Sequence, residues 1–231
     1  MSQNAEDWLE RLGRLETGLV SDVMDEAGVP NHALAPSIAP IGPHKVVAGR
    51  AACLQGAPTL RAANPGKAMP ADTLESVCAP GTILFIETGG FTTGAVLGGF
   101  MAYSVQRAGC RAIVTSGAVR DGDEIRGYGM PCHCAQVVPN NAARRWRLTA
   151  KDVPVAMPSL LGGTLTVAPL DYVLADCDGI VVIPQAIAPQ IIEDAETLGR
   201  IERAITAEMR AGGERHEVFA RNPRFDHVRP V

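Results

Sequence analysis

Between residues 82 and 138 the chain alternates short, almost wholly apolar runs with glycine-bounded segments of helical length, and this alternation restricts the fold more than any other feature. Runs such as TILFIE and AIVTS have no polar face, so they read as strands buried on both sides. Strands of that kind are parallel and joined through crossover helices, which makes the class α/β. The expected order is a strand at 46–54, a loop at 58–70, a helix at 71–78 and a strand at 82–87. A helix at 95–107, a strand at 112–116, a helix at 121–128 closed by Gly129 and a strand at 131–138 follow.

The flanks read differently. Trp8, Leu9, Leu12 and Leu15 have helical spacing, and a second short helix fits 21–27, with Thr17 or Ser21 as its cap and Gly28 as its stop. Residues 29–44 are rich in proline and read as extended connection. Residues 140–151 read as loop, and short β-rich pieces follow at 153–157, 164–167, 172–175 and 180–183. Residues 187–210 have the apolar spacing of a long amphipathic helix ending at Gly212-Gly213. The polar tail beyond it is expected to pack loosely or on a neighbour. No repeat or linker interrupts the 231 residues, so a single domain over 1–231 is expected, with a helical lead-in at 4–28 and the C-terminal helix at about 187–212.

Composition decides the core and the partners. With 46% apolar and 4% aromatic residues, the core must be built from Ala, Val, Leu and Ile. A net charge of -4 provides no global positive field for nucleic acid or an anionic membrane. The longest apolar stretch, 94–105, has about a dozen residues where a bilayer span needs about 20. The start, MSQNAEDWLERL, is acidic and lacks the features of a signal peptide, so a cytoplasmic protein is expected. Six scattered cysteines are then expected to be reduced. Cys132-His133-Cys134 has no second Cys or His pair at zinc-site spacing, and on a strand its two thiols share a face opposite His133.

Chemistry concentrates between Glu87 and Glu124. A strand ends in Thr88-Gly89-Gly90, and a helix begins near Gly94 to Gly98, where free amides and the helix dipole can seat a carboxylate or phosphate. The spacing is neither Walker A nor GxGxxG, which disfavours a nucleotide. The next buried strand runs into Arg120-Asp121-Gly122-Asp123-Glu124, and charges at a strand's carboxyl end stand where open α/β sheets bind ligands. Arg120 offers a fixed cation for an oxyanion, and Asp121 offers a hard oxygen ligand for Mg²⁺ or Mn²⁺. The same residues also fit a turn ion pair leading into the acidic first turn of a helix.

Elsewhere the signals are weaker. Arg144, Arg145, Arg147 and Lys151 around Trp146 read as a solvated loop, or in part as the entrance for a dianionic substrate. The absence of a G-x-S-x-G elbow, and five histidines without H-x3-H or catalytic spacing, argue against a serine hydrolase or a zinc enzyme. His44, following a proline, is expected at the surface.

The segments GAVLGGFMAYSVQRAGCRAIVTSGAVRDGDE (94–124) and DVPVAMPSLLGGTLTVAPLDYVLADCDGIVVIPQ (152–185) resemble the RraA-like family, which includes the 4-hydroxy-4-methyl-2-oxoglutarate / 4-carboxy-4-hydroxy-2-oxoadipate aldolases. The resemblance runs from Thr17-x4-Asp22 to about Gly212. Its sharpest element is Gly99, twenty residues, Arg120-Asp121, two residues, Glu124, the family's G-x20-R-D-x2-E/D form. The resemblance implies a swivelling β/β/α sandwich with a long C-terminal helix, assembled as a homotrimer or hexamer with active sites between subunits. It also implies a divalent metal, Mg²⁺ or Mn²⁺, at Asp121, and a pyruvate-type oxygen held by Arg120. The amides of Gly99, Phe100 and Met101 would hold the substrate carboxylate, and a glutamate of the neighbouring subunit's long helix, matched best by Glu202, would complete the site. Glu193, Glu196 and Glu208 compete for that role.

Where well-known aldolases carry an acid, this chain has Gly99. The true ribonuclease E regulators lack the Arg-Asp pair that this chain keeps. The reading is a metal-dependent lyase that cleaves a 4-hydroxy-2-oxoacid to pyruvate, with oxaloacetate decarboxylation as a side activity. The alternatives are a non-enzymatic regulator that binds a protein partner, or a related metal-dependent oxoacid or sugar-acid enzyme.

Overall fold

Two helices lead in, α1 (Gln3–Leu12) and α2 (Thr17–Glu26), in a computed structural model that describes residues 3–42, 45–59 and 69–231. Leu9 and Leu12 of α1 and Val20, Val23 and Met24 of α2 are buried, as their helical spacing requires. α2 begins four residues earlier than expected. Thr17 does not cap it but joins it to Asp176, and Ser21 lies inside the helix.

After β1 (Ala39–Pro40), the twelve-residue β2 (Val47–Pro58) forms the spine of the main sheet. There follow α3 (Thr73–Ser76), β3 (Thr82–Glu87), β4 (Ala95–Leu97), α4 (Gly99–Arg107), β5 (Cys110–Thr115), β6 (Ala118–Val119), α5 (Gly122–Gly127), β7 (Cys132–Cys134) and β8 (Gln136–Val137). The second half holds β9 (Trp146–Lys151), β10 (Val155–Pro158), β11 (Thr164–Val167), β12 (Tyr172–Ala175), β13 (Ile180–Ile183), α6 (Ala188–Arg210) and α7 (Arg215–Arg221). His44 and residues 60–68 of the expected 58–70 loop lie outside the described residues.

The main sheet runs β1-β7-β5-β3-β2-β12-β13, with β9 also on β2. Its centre, β2-β3-β5-β7, is parallel, as the apolar runs predict. α1, α2 and α6 cover one face through Ala48, Tyr172, Leu174, Val181 and Ile183. The hairpin of β10 and β11 covers part of the other through Met157, Leu165 and Val167. Together with the 23-residue α6, this is the α/β sandwich with a long C-terminal helix.

Several expectations are corrected. The helix expected over 95–107 is a strand followed by a helix, because AVL pairs in parallel with β6 and Gly98 is fully extended. The strand expected over 131–138 is two, since Ala135 donates its amide to Gly117 and carries the chain from the main sheet to a three-stranded sheet, β4-β6-β8. Residues 146–151 are not loop but β9, paired antiparallel with the second half of β2. The tail forms α7 and then folds back on its own chain, with the Val231 amide donating to Ala27 and Arg229 paired with Asp194. All six cysteines are free thiols, and burial pushes the Cys134 thiol up to about 11.

Candidate active site

The three-stranded sheet builds the site. β4 ends at Leu97 and feeds α4 through Gly98, while its parallel neighbour β6 ends at Val119 and feeds Arg120, Asp121 and α5. The Arg120 amide donates to Leu97 O at 3.0 Å, so the pairing itself sets Arg120-Asp121 beside Gly98-Gly99. A side chain at 98 would not fit, since its Cβ would stand 2.8 Å from Asp121 Oδ2 and 3.1 Å from Arg120 Nε. The Gly99 amide donates to Asp121 Oδ2 at 3.0 Å, and Arg120 Nε lies 3.5 Å from the same oxygen.

Asp121 has φ 58 and ψ 42, a left-handed conformation that costs an L-residue about 1–2 kcal/mol but that Asp and Asn visit more readily than most. The pair is thus held by the surrounding pairing against a local backbone preference. Both side chains are 40% exposed, and they line a cavity of about 540 Å³. Phe100 and Met101 share that wall, and Leu74, Trp146, Arg147 and Leu148 also line the cavity.

The expected carboxylate seat is partly committed. The Gly99 amide is spent on Asp121, which leaves the Phe100 and Met101 amides in the first turn of α4, where no side chain caps the helix. Glu124 fills the space beside Gly99, since a Cβ at 99 would overlap Glu124 Oε2. A carboxylate therefore stands where an acidic side chain at 99 would project. Tyr128 Oη lies 3.4 Å from Glu124 Oε2, and partial burial together with the Glu124 charge holds its hydroxyl above the usual value, so it remains a donor at neutral pH.

Glu202 is not brought to this cavity within the chain. Arg224 of the tail donates to it from Nε at 2.9 Å and also reaches Asp22 at 2.7 Å. Its competitors are held too, Glu193 by Arg229, Glu196 by Arg11 and Glu208 by Arg221. Sequence reasoning missed the β9 wall, where Trp146 is buried against Gly56 and donates its indole N–H to Thr88 O. The signal was the alternation in WRLTAK, obscured by the flanking arginines. Of the basic cluster, Arg147 lines the cavity, whereas Lys151 donates to Ser76.

The donor set at Asp121 suits a hard divalent cation. Oδ2 is taken by the Gly99 amide, Oδ1 remains, and the half-exposed carboxylate opens on a cavity with room for water or substrate oxygens. Among the described residues the one cluster of three ligand-type side chains is elsewhere, at Asp176, Cys177 and Asp178, where Asp176 already accepts from Thr17.

The sequence model of the RraA-like family, described as Aldolase/RraA, matches residues 17–182. An uncharacterized protein of Methanocaldococcus jannaschii is 31% identical over 54% of this chain and 57% of its own length. A protein of Thermus thermophilus named 4-hydroxy-4-methyl-2-oxoglutarate aldolase is 32% identical over 46% of this chain and 60% of its own length. The matched segment thus spans less than two thirds of either relative. Among solved structures, Streptomyces coelicolor RraAS2, described as an unusual member of the RNase ES inhibitor RraA protein family, superposes with a TM-score of 0.73. It is 26% identical over 88% of this chain and 98% of its own.

Proposed function

The chain belongs to the RraA-like family, and from that premise we propose that it is a divalent-metal-dependent lyase that cleaves a 4-hydroxy-2-oxoacid of the 4-hydroxy-4-methyl-2-oxoglutarate type to pyruvate through an enolate. Oxaloacetate decarboxylation, which passes through the same enolate, is the side activity. The observation that carries this reading is the joint placement of Arg120 and Asp121 on one cavity wall, against the start of α4.

The Phe100 and Met101 amides would seat the substrate carboxylate at the positive end of the helix. Arg120 would hold the 2-oxo oxygen, and its fixed charge gains most when that oxygen becomes the enolate, so it lowers the barrier rather than only binding substrate. Asp121 would hold Mg²⁺ or Mn²⁺, which when bound supplies the Lewis acidity that draws electrons toward the 2-oxo group. Glu124, beside Gly99 and within reach of the Tyr128 hydroxyl, would accept the C4 hydroxyl proton through water. Arg147, on the cavity wall, would meet a distal carboxylate.

A homotrimer or hexamer is part of the proposal. Phe100 is 86% exposed beside the site, with Met101 and Tyr103 also exposed, an apolar rim suited to a neighbouring copy. Glu202 would serve a neighbouring site only if Arg224 released it. The likeness to the RNase ES inhibitor family favours a second reading, a protein-binding regulator.

Lactate dehydrogenase-coupled pyruvate release separates the two. The lyase gives turnover of 4-hydroxy-4-methyl-2-oxoglutarate or oxaloacetate that needs Mg²⁺ or Mn²⁺ and disappears with chelator and in Asp121→Asn. Turnover no higher than the metal-only blank on both substrates overturns it in favour of the regulator.

A further inference from the structure

We propose a second catalytic centre in this chain, a serine–histidine pair at Ser21 and His32 that transfers the acyl group of a short-chain carboxylic ester to water. The sequence has no G-x-S-x-G elbow and its histidine spacing argues against a serine hydrolase, but the turn after α2 folds His32 back onto the helix eleven residues from Ser21, so that Ser21 Oγ lies 2.8 Å from His32 Nε2. His32 is 3% exposed, and its Nδ1 lies 2.6 Å from Val29 O. A carbonyl oxygen only accepts, so Nδ1 carries the proton. Nε2 therefore presents its lone pair, and Ser21 Oγ donates to it.

This is the arrangement that activates a serine: a nucleophile in contact with a base whose tautomer is set by a third group. Asp25 Oδ1 lies 3.9 Å from Nδ1, beyond hydrogen-bond distance, so Val29 O is the group that orients the ring. A serine within a helix ordinarily turns its hydroxyl toward a backbone carbonyl one turn back, whereas Ser21 gives its proton to His32.

Ser21 also opens on a cavity of about 200 Å³, distinct from the one holding Arg120 and Asp121. Its apolar walls include Leu34, Pro36, Ile38, Leu160 and Ile180, which suits a hydrocarbon acyl chain. Helical side chains lean toward the preceding turn, which places Ser21 over Gly18, another residue of that cavity. At the start of α2 the Asp176 carboxylate takes the Thr17 amide and Glu16, at the cap position, takes none, so the next first-turn amide, that of Gly18, is the donor this proposal assigns to a developing oxyanion.

In the reaction Ser21 Oγ attacks the ester carbonyl carbon and its proton passes to His32 Nε2. The bond from that carbon to the alkoxy oxygen breaks, and the leaving alkoxide takes the proton from Nε2, leaving acyl-Ser21. Water then attacks the acyl carbon and gives its proton to Nε2. The bond to Oγ breaks, Oγ recovers the proton, and a carboxylic acid leaves.

The test uses the full chain with chelator present, a fluorophosphonate probe and p-nitrophenyl butyrate. The expected result is a covalent adduct located on Ser21 by peptide mass, and ester turnover that falls at least tenfold in Ser21→Ala and in His32→Gln. Should His32→Gln fail to fold, the comparison with Ser21→Ala, which removes a single oxygen, decides. No adduct on Ser21, or turnover unchanged in Ser21→Ala, overturns the proposal and leaves the pair as a staple between α2 and the following turn.

Discussion

Asp121 is the residue at which stability and activity are expected to separate. Its backbone is left-handed, and Asn tolerates that conformation as Asp does, so Asp121→Asn should keep the fold while removing the carboxylate charge. The expected outcome is an unfolding free energy, from denaturant titration, within about 0.5 kcal/mol of the parent, with pyruvate release down by roughly 10²-fold or more, the scale of losing a catalytic electrostatic group. Glu124 makes a second expectation at this scale. If its carboxylate serves as proton acceptor, Glu124→Ala should cut kcat by about 10²-fold, the lower range for a general base, with KM little changed. A rise in KM at unchanged kcat would instead make Glu124 a binding group. The Arg120-Asp121 pair was legible from the chain because both residues follow one buried strand directly. The occupant of the space beside Gly99 was not legible, because Glu124 reaches it across the gap between two segments that only the sheet brings together.

Element by element, the joints between β-strands and helices carry the tests. The register of β2 shifts between Gln55 and Gly56, where the Trp146 ring lies against the backbone. A Cβ at Gly56 would overlap that ring, which is buried and cannot swing away freely. Gly56→Ala should therefore cost about 1–3 kcal/mol, the usual cost of overpacking, seen as a lower Tm together with weakened substrate binding, because Trp146 lines the cavity.

A second joint ties α2 to the segment after β12 through Asp176, which accepts from the Thr17 amide at 2.8 Å and the Thr17 hydroxyl at 2.7 Å. Burial alone would raise the Asp176 carboxyl, but these bonds, with the amides of Asp178 and Gly179, outweigh it and hold the carboxyl below its ordinary value. A depressed value contributes stability above the unfolded pKa of about 3.9 and loses it as pH falls through the folded value. Asp176→Asn should thus melt below the parent at pH 7, and the gap should close as the pH falls below about 3.9. A gap that persists in acid would assign the effect to geometry rather than charge. The helix spacing of α1, α2 and α6 was readable because one apolar face repeats every turn. β9 was not, because its pairing partner lies some ninety residues earlier and its exposed face is charged.

The whole molecule presents an apolar rim around its candidate site, and assembly is the expectation that belongs to this scale. Sedimentation should give a trimer or hexamer, and Phe100→Asp should shift it toward monomer and lower pyruvate release together, since a charge at an exposed apolar contact opposes association. A fully active monomer would show that one chain holds the complete site. Arg224→Ala adds a check on the C-terminal helix: it frees both Glu202 and Asp22, and an altered pyruvate-release rate in the assembled protein would link Glu202 to a neighbouring site.

By itself the sequence determined the parallel α/β core, the long final helix and the Arg120-Asp121 pair at a strand end. These follow from local hydrophobic period and from adjacency in the chain. Only the tertiary structure decided that Glu124 stands beside Gly99, that Trp146 and Arg147 line the cavity, that Arg224 holds Glu202 and that His32 meets Ser21. Each of these depends on where turns and strand pairings bring side chains together, and the hydrophobic period does not encode those meetings.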